Sequence, residues 1–536
     1  MQRPFSHFNK NFGKNTLRDE TGSMTIFAMF IFVIILIVGG MAVDIMRYEN
    51  KRVHLQNTAD RAVLAAGSLR QPNDPEEVVR EYFRREGLED NLQNVEIVEG
   101  LNFRRVNVQT ANVLPTMFMK FLGISELNMT PVSASEERYS KVEVSLVLDL
   151  SNSMNQQNRI QNLRIAGQDF IDTLFENAEP GQVSVSIIPY TGQVNLGPDL
   201  AEYFTIAPPI PQSQCVEFLG TSFNSISIAP FSTLIGAGTF DPWHTTINPQ
   251  MFFCPIHSGG TSEIVTYSGN PAFLRNRIAN LVADGNTSID IGVKWGAALL
   301  DPTMRPVITG MVADGKVPDD FLGRPLDYDD PDVLKVMVIM TDGENWDQFH
   351  MHPDYRTGEA PVFVDPSNGY LSIHHPTYSG SNNKYFVYDV PGRKVVGWQS
   401  RPSGSISATN LGVVQRLSWD QVWTRHTVRW VAKNLYGDPL GSNNTQRNNI
   451  TNSWINTWLS TTSPTLKNQR LTAICNQLKL REIPIFTVAF EASPVGVASM
   501  QTCATSQSHF FDVNGSDIRG AFRAIAGTIN RLRLTQ

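Results

Sequence analysis

Residues 24–43, MTIFAMFIFVIILIVGGMAV, run for twenty positions without a charge. A helix needs about 20 apolar residues to cross the hydrocarbon core of a bilayer, and this run supplies them. A buried helix of a water-soluble domain would show a polar stripe, and none is visible here. A cleaved signal peptide usually has a shorter apolar core, about 7–15 residues, so the run reads as a retained signal anchor. It sets off a leader at 1–23 from a transmembrane helix at 24–44. Past the span, DIMRYENKRVHLQNTADRAVLAAGSLR holds good helix formers and neither Gly nor Pro before Gly67. Ile45, Tyr48, Leu55, Ala59, Ala62, Ala66 and Leu69 recur there at roughly helical spacing. The membrane helix is therefore expected to continue as a stalk over 45–70.

Charge does not orient the span. Arg3, Lys10, Lys14 and Arg18 precede it and Arg47, Lys51, Arg52 and Arg61 follow it, a near tie under the positive-inside rule. The four cysteines break the tie. Cys215, Cys254, Cys475 and Cys503 include no C-x-x-C pair, which argues against a zinc ribbon. Two separated pairs, Cys215 with Cys254 and Cys475 with Cys503, fit two disulfides in an oxidising compartment; four buried thiols in a cytosolic protein are the alternative. Disulfides would leave the leader in the cytoplasm and the bulk of the chain outside it. The net charge is −7 over 536 residues with no dominant basic block, so nucleic acid is not an expected partner.

The segment ETGSMTIFAMFIFVIILIVGGMAVDIMRYENKRVHLQNTADRAVLAAG resembles the N-terminal part of TadE/TadG-like proteins of tight-adherence (Flp) pilus systems. The likeness rests on Gly22 in a charged leader, the apolar run, Asp44 just after it, and the LQNTADRAVLAA helix with Asp60. Prepilin relatives are cut after the glycine and carry a glutamate five residues later. Phe27 stands at that place here, which suits the G-type members, anchored assembly factors rather than polymerised pilins. The resemblance implies a single-pass protein of a bacterial inner membrane with most of the chain in the periplasm. Residues 71–140 follow as a small α/β module: a charged helical pattern (DPEEVVREYFRREGL), short alternating stretches (NVEIVEG, RRVNVQT), and an expected second helix at LPTMFMKFLG.

Residues 141–536 carry the chemistry. VEVSLVL is a continuous apolar run, as in a parallel strand covered on both faces, and it ends in Asp149, Ser151 and Ser153. A helical stretch and the strand QVSVSIIPY follow, the βαβ alternation of an α/β domain. VLKVMVIMTDGEN ends in Asp342 in the same way, and ADGNTSIDIGVKWGAALL places Thr287 in a polar loop before a helix. Ligands bind at the carboxyl ends of strands in such sheets. All five side chains are hard oxygen donors of the kind Mg²⁺ selects. Any one of them alone reads as a helix cap.

Together they resemble the metal-ion-dependent adhesion site of von Willebrand factor A-type (vWA) domains. DLSNS matches D-x-S-x-S, GNT carries the threonine, and TDG the second aspartate, in the family's order; Gly285 and Asn286 stand where paired glycines are usual. The resemblance implies a doubly wound, mostly parallel sheet and a metal shell of Asp149, Ser151, Ser153, Thr287 and Asp342. The shell would hold Mg²⁺ or Mn²⁺ with one position open to a partner's carboxylate. A haloacid-dehalogenase-type phosphatase would need a second Asp where Ser151 stands.

An A-type core is much smaller than residues 141–536, so insertions are expected at about 196–270, 303–332 and 346–463. The last holds seven of the nine tryptophans; Trp419, Trp423 and Trp430 have helical spacing and read as local core. His350, His352, His374 and His375 invite a zinc reading, but His350 and His352 are only two apart in Pro- and Gly-rich sequence with no helix to align them, and a solvated loop is the better reading. The tail, with PIFTVAFEA between two helical stretches and a last helix at SDIRGAFRAIAGTINRLRLTQ, completes the α/β pattern. The chain thus reads as a membrane-anchored, metal-dependent binding and assembly factor of a tight-adherence pilus system, with other pilus-assembly or envelope proteins as partners, and not as an enzyme. A metal-dependent envelope hydrolase and a structural envelope protein with a vestigial site are the alternatives. The hydrolase lacks any H-E-x-x-H or G-x-S-x-G signature.

Overall fold

The computed structural model describes residues 21–69, 71–100, 103–138, 141–176, 178–256, 258–380, 382–402 and 414–530. Most of the expected leader, with Arg3, Lys10, Lys14 and Arg18, lies outside the described residues, as do 403–413 of the third insertion and 531–536 of the last helical pattern. The chain forms two units, Met1–Arg138 and Tyr139–Gln536.

In the first unit one helix, α1 (Thr21–Gly67), contains both the apolar run and the stalk. Among the described residues it is the one helix long and apolar enough to cross a membrane. Its apolar half leaves side chains such as Phe27 and Phe30 about two-thirds exposed. Beyond Leu55 the same helix turns a face inward, because small residues recur there at helical spacing. Leu55, Ala59, Ala62, Val63 and Ala66 pack with Val79 and Phe83 of α2 (Pro75–Arg85) and with Val106 and Val108 of a strand. That strand, Phe103–Thr110, is the middle of an antiparallel sheet with Leu92–Gly100 and Val132–Arg138. Asp60 accepts hydrogen bonds from the Ser133 hydroxyl (2.6 Å) and the Gln56 amide (2.8 Å), pinning helix to sheet.

The helix expected at LPTMFMKFLG does not form. Leu114 and Pro115 end the strand Asn112–Pro115, paired with Glu126–Met129, and only Met119–Leu122 coils, as a 3₁₀ turn. The amides that would start a helix are taken by a tertiary acceptor: Asp44 of α1 accepts from the N–H groups of Met117, Phe118 and Met119. Gly123, at φ +85°, then ends the turn.

The second unit is built on six strands: β1 (Lys141–Asp149), β2 (Val183–Tyr190), β3 (Val265–Ser268), β4 (Val333–Thr341), β5 (Ile485–Phe490) and β6 (Phe510–Val513). Their spatial order is β3-β2-β1-β4-β5-β6. All neighbours are parallel except the edge strand β3 against β2. The inner strands are apolar at most positions because both faces are covered, and every residue of β2 and β4 is buried.

Two groups of helices do the covering. α3 (Arg159–Phe175) packs with α4 (Pro271–Ala279) and α7 (Ile518–Asn530). Its buried residues Ile160, Leu163, Ala166, Phe170, Ile171 and Leu174 recur every three or four positions. α5 (Ile289–Ala298) packs with α6 (Pro464–Leu480). The core on that side, with Val147, Ile188, Met337, Trp295 and Leu471, includes no residue of α3 or α7. α5 lies so close to the sheet that a Cβ on Gly292 would fall 2.6 Å from the Tyr190 ring, and one on Gly296 2.7 Å from Val147.

The insertions build outward from this frame. Within 196–270, Thr205–Ala207, Thr233–Gly236 and Val216–Glu217 form a small sheet, and the last residues of the span are β3 itself. Within 303–332 a helix, Arg305–Ala313, precedes the buried Arg324. Within 346–463 five short strands make a separate antiparallel sheet, and pairing of Gln348–Met351 with Leu459–Thr462 closes the insertion at its base. Trp419, Trp423, Trp430 and Trp458 are buried in one cluster with Phe240 and Phe253 of the first insertion, so the two insertions share a core. Disulfides join Cys215 to Cys254 and Cys475 to Cys503, the second tying α6 to the helix after β5.

Candidate functional site

The chain runs outward from β1 to β2 and β3, and in the other direction from β4 to β5 and β6. The reversal falls between β1 and β4, and the crevice beyond their carboxyl ends is where open α/β sheets bind ligands. Met340 pairs opposite Leu148, so Thr341 and Asp149 end side by side. The Thr341 hydroxyl donates to Asp149 Oδ2 at 2.6 Å, and the Ser151 N–H donates to Asp149 Oδ1 at 2.8 Å.

The next turn brings in the other carboxylate. Ser153 Oγ donates to Asp342 Oδ1 at 2.8 Å and Ser151 Oγ to the same atom at 3.4 Å, while the two serine oxygens lie 2.9 Å apart. Asp149, Ser151, Ser153 and Asp342 thus form one connected group, although up to 193 positions separate them in the chain (342 − 149).

Backbone hydrogen bonds stitch the Thr287 loop to both of these segments. Asp284 N–H donates to Leu150 O (2.7 Å), Asn152 N–H to Gly285 O (3.0 Å) and Trp346 N–H to Thr287 O (3.1 Å). Asn345 Oδ1 accepts from Ile289 N–H at 2.8 Å. A Cβ built on Gly343 would sit 3.8 Å from Thr287 Oγ1 and 4.0 Å from Ser153 Oγ, so the glycine leaves open the space between those hydroxyls. All five residues singled out in the sequence therefore lie at one rim of the sheet.

The electrostatics of this rim are unbalanced. Both carboxylates are buried. Burial pushes Asp149 well above the usual carboxylate range, and the charge of Asp342 pushes it further. Burial also raises Asp342, opposed by bonds from Ser153 and Arg159. Positive charge placed here relieves both. The chain supplies some of it through residues that sequence reasoning passed over. Arg159 Nη1 donates to Asp342 Oδ2 at 2.9 Å, and its Nε donates to Glu491 Oε2 at 2.9 Å. Glu491 Oε1 accepts from Gly515 N–H at 2.9 Å. The fully buried Lys467 donates to Thr287 O (2.8 Å), Ser288 Oγ (2.6 Å) and Trp346 O (2.7 Å).

Arg159 carried a weak signal, as the first residue of the helix after the serine loop; Glu491 carried one too, at the end of a sheet strand. Lys467 carried none, since an exposed helix lysine has the same local pattern. His350, expected in a solvated loop, instead lies in the strand Gln348–Met351, where pairing with Leu459–Thr462 sets its Nε2 2.9 Å from the Thr462 hydroxyl; His375 Nε2 lies 2.8 Å from the Leu435 carbonyl. Among the described residues no group of three or more His, Cys, Asp or Glu is arranged to hold a metal ion. The rim cluster holds two carboxylates, its other oxygens being hydroxyls. Such a set fits Mg²⁺, which needs one or two protein carboxylates and keeps several waters, and does not fit zinc, which prefers nitrogen and sulfur.

Several solved structures are similar in outline. One is the vWF domain of the type V pili tip protein Mfa5 from Porphyromonas gingivalis, with 15% identity over 73% of this chain and 96% of that one, at a TM-score of 0.30. Another is the adhesive tip pilin GBS104 from Group B Streptococcus agalactiae, with 12% identity over 73% of this chain and 100% of that one, also at 0.30. A third is the pilus adhesin SpaC from Lactobacillus rhamnosus GG, with 11% identity over 82% of this chain and 34% of that one, at 0.29. At such TM-scores the likeness assigns neither fold nor function. No curated protein matches the chain. Residues 22–69, most of α1, match the family model described as "Putative Flp pilus-assembly TadE/G-like".

Proposed function

We propose that this chain is a membrane-anchored, metal-dependent binding and assembly factor of a Flp-type, tight-adherence pilus system. Its second unit is then a doubly wound vWA-type domain on the periplasmic face of a bacterial inner membrane, and its partners are other pilus-assembly or envelope proteins. The family match over residues 22–69 supports the pilus context, and the two disulfides support an oxidising compartment. One observation carries the metal reading. Three chain segments, remote in sequence, deliver two buried carboxylates and three hydroxyls to the point where the strand order reverses.

In this reading Asp149, Ser151, Ser153, Thr287 and Asp342 hold Mg²⁺ or Mn²⁺, and the bound cation supplies a Lewis-acidic position for a carboxylate of the partner. Arg159 and Lys467 hold the loops that carry those donors. No residue is assigned a catalytic step.

The test uses the full chain in detergent micelles. Mn²⁺ binding is followed by calorimetry, and envelope proteins are captured with Mg²⁺ or with EDTA. Capture is expected only with the cation. Asp149→Ala and Ser153→Ala are expected to lose Mn²⁺ binding while keeping a cooperative tryptophan-fluorescence melt. Equal capture in EDTA would refute the metal reading.

A further inference from the structure

We propose that the turn spanning residues 116–124 in the first unit is a second membrane contact, which places its apolar side chains in the lipid beside the span. The proposal rests on the reading that residues 24–43 cross a bilayer. The turn is tied to the end of that run at two points. Asp44, one position past the run, accepts N–H bonds from Met117 (2.9 Å), Phe118 (2.7 Å) and Met119 (2.8 Å). One helical turn further into the run, a Cβ on Gly40 would fall 2.6 Å from the Phe118 ring, so that ring lies against the helix backbone. Gly40 and Asp44 are about 6 Å apart along the axis at 1.5 Å per residue. The helix therefore sets the depth of the turn, at the level of the last apolar residues.

The outward side of the turn matches that depth. Met117, Phe118, Phe121, Leu122 and Ile124 are 41–78% exposed, with Phe121 the most exposed. Five large apolar side chains within eight residues are a concentration that water-facing surfaces rarely show. Backbone groups entering lipid must be satisfied internally, and several here are. Asp44 takes the three amides above. Phe121, Gly123 and Ile124 donate to the carbonyls of Phe118, Lys120 and Met119, each at 3.1 Å, and the Thr116 hydroxyl closes the base onto Ile124 O at 2.5 Å. The charge in the turn is Lys120, whose ammonium sits 5.5 Å over the Phe121 ring. A lysine stem is long enough to carry its head to the phosphate level while the ring below stays in hydrocarbon. The occupant is lipid because the apolar surface of α1 on the side of Gly40, at Leu36 four positions before it and Val43 three after it, is also exposed.

The experiment places one nitroxide label at a time on the full chain in phosphatidylethanolamine–phosphatidylglycerol liposomes, at Phe121→Cys, Ile34→Cys or Arg84→Cys. The native cysteines are all in disulfides, so each variant has one reactive thiol, and Phe121 is too exposed for its loss to unfold the unit. Power-saturation EPR compares collision with oxygen, which concentrates in lipid, and with a water-soluble nickel chelate. The label at 121 is expected to show nickel collisions reduced several-fold relative to 84, though less than at 34, which lies about 9 Å deeper than Gly40 at 1.5 Å per residue. A label at 121 as open to nickel as that at 84, with 34 still protected, overturns the proposal and leaves the span intact. Nickel access at 34 as well overturns the spanning reading and this proposal with it. Protection of 121 from both reagents means that protein covers the turn, which also overturns it.

Discussion

Arg159→Gln is the most informative single change at the rim. Asp342 has a fully buried side chain, and Arg159, 12% exposed, donates to its Oδ2 at 2.9 Å. Breaking a buried pair by removing one partner costs about 3–5 kcal/mol, because the other charge is left uncompensated. Here Asp342 Oδ1 keeps the Ser153 hydroxyl at 2.8 Å, and Arg159 is partly wet. The expected loss is therefore near the lower end, about 3 kcal/mol, or roughly 4 °C in Tm for a unit of this size. Adding Asp342→Asn removes the orphaned charge and is expected to restore about 2 kcal/mol, a coupling that a double-mutant cycle isolates. The assay is thermal unfolding of the full chain in detergent with EDTA, read by tryptophan fluorescence. All nine tryptophans lie between 243 and 458, so the signal reports the second unit alone. If the rim holds a cation as proposed, millimolar Mg²⁺ is expected to shrink the Arg159→Gln deficit by taking over the charge beside Asp342. Two strictly additive single mutants, or an Arg159→Gln melt within 0.5 °C of wild type in EDTA, would refute the reasoning.

Two further outcomes follow from packing and protonation. A Cβ on Gly292 would meet the Tyr190 ring at 2.6 Å and Val147 at 3.0 Å, so Gly292→Ala is expected to destabilise the second unit by about 1–3 kcal/mol through overpacking; an unchanged melt would mean that α5 can lift off the sheet freely. Burial lowers His426 from 6.5 to about 4, its bond to Ile247 O opposing and Arg425 assisting the shift. The unfolded chain therefore binds the extra proton between pH 6.5 and 4. The stability that His426 preserves by staying neutral is complete above pH 6.5 and lost as pH falls toward 4. Between pH 7.5 and 5.0 that loss is about 2 kcal/mol at 1.36 kcal/mol per unit. His426→Asn is expected to reduce the pH dependence of unfolding by that amount, and identical pH profiles for the two proteins would contradict it.

The long apolar N-terminal helix and the sheet strands were legible in the sequence because each is a local pattern. Twenty apolar residues make a helix whatever surrounds them, and VEVSLVLD or VLKVMVIMT reads as a strand buried on both faces. The oxygen cluster was legible for a related reason: Asp149 and Asp342 each end such a strand, and strand ends on one sheet share a rim. Contacts between remote segments were not legible. Nothing in LPTMFMKFLG shows that Asp44, more than seventy positions earlier, captures its amides and prevents a helix. Nothing near Arg159 or Lys467 distinguishes them from surface cations; only the fold brings Asp342 and Glu491 to one and the Thr287 carbonyl to the other. The common core of the first and third insertions likewise has no periodicity to announce it. Local sequence determines which backbone conformations and which buried faces are favourable. Which charges and hydrogen-bond donors meet depends on chain segments brought together from far apart, and that is decided when the tertiary structure closes.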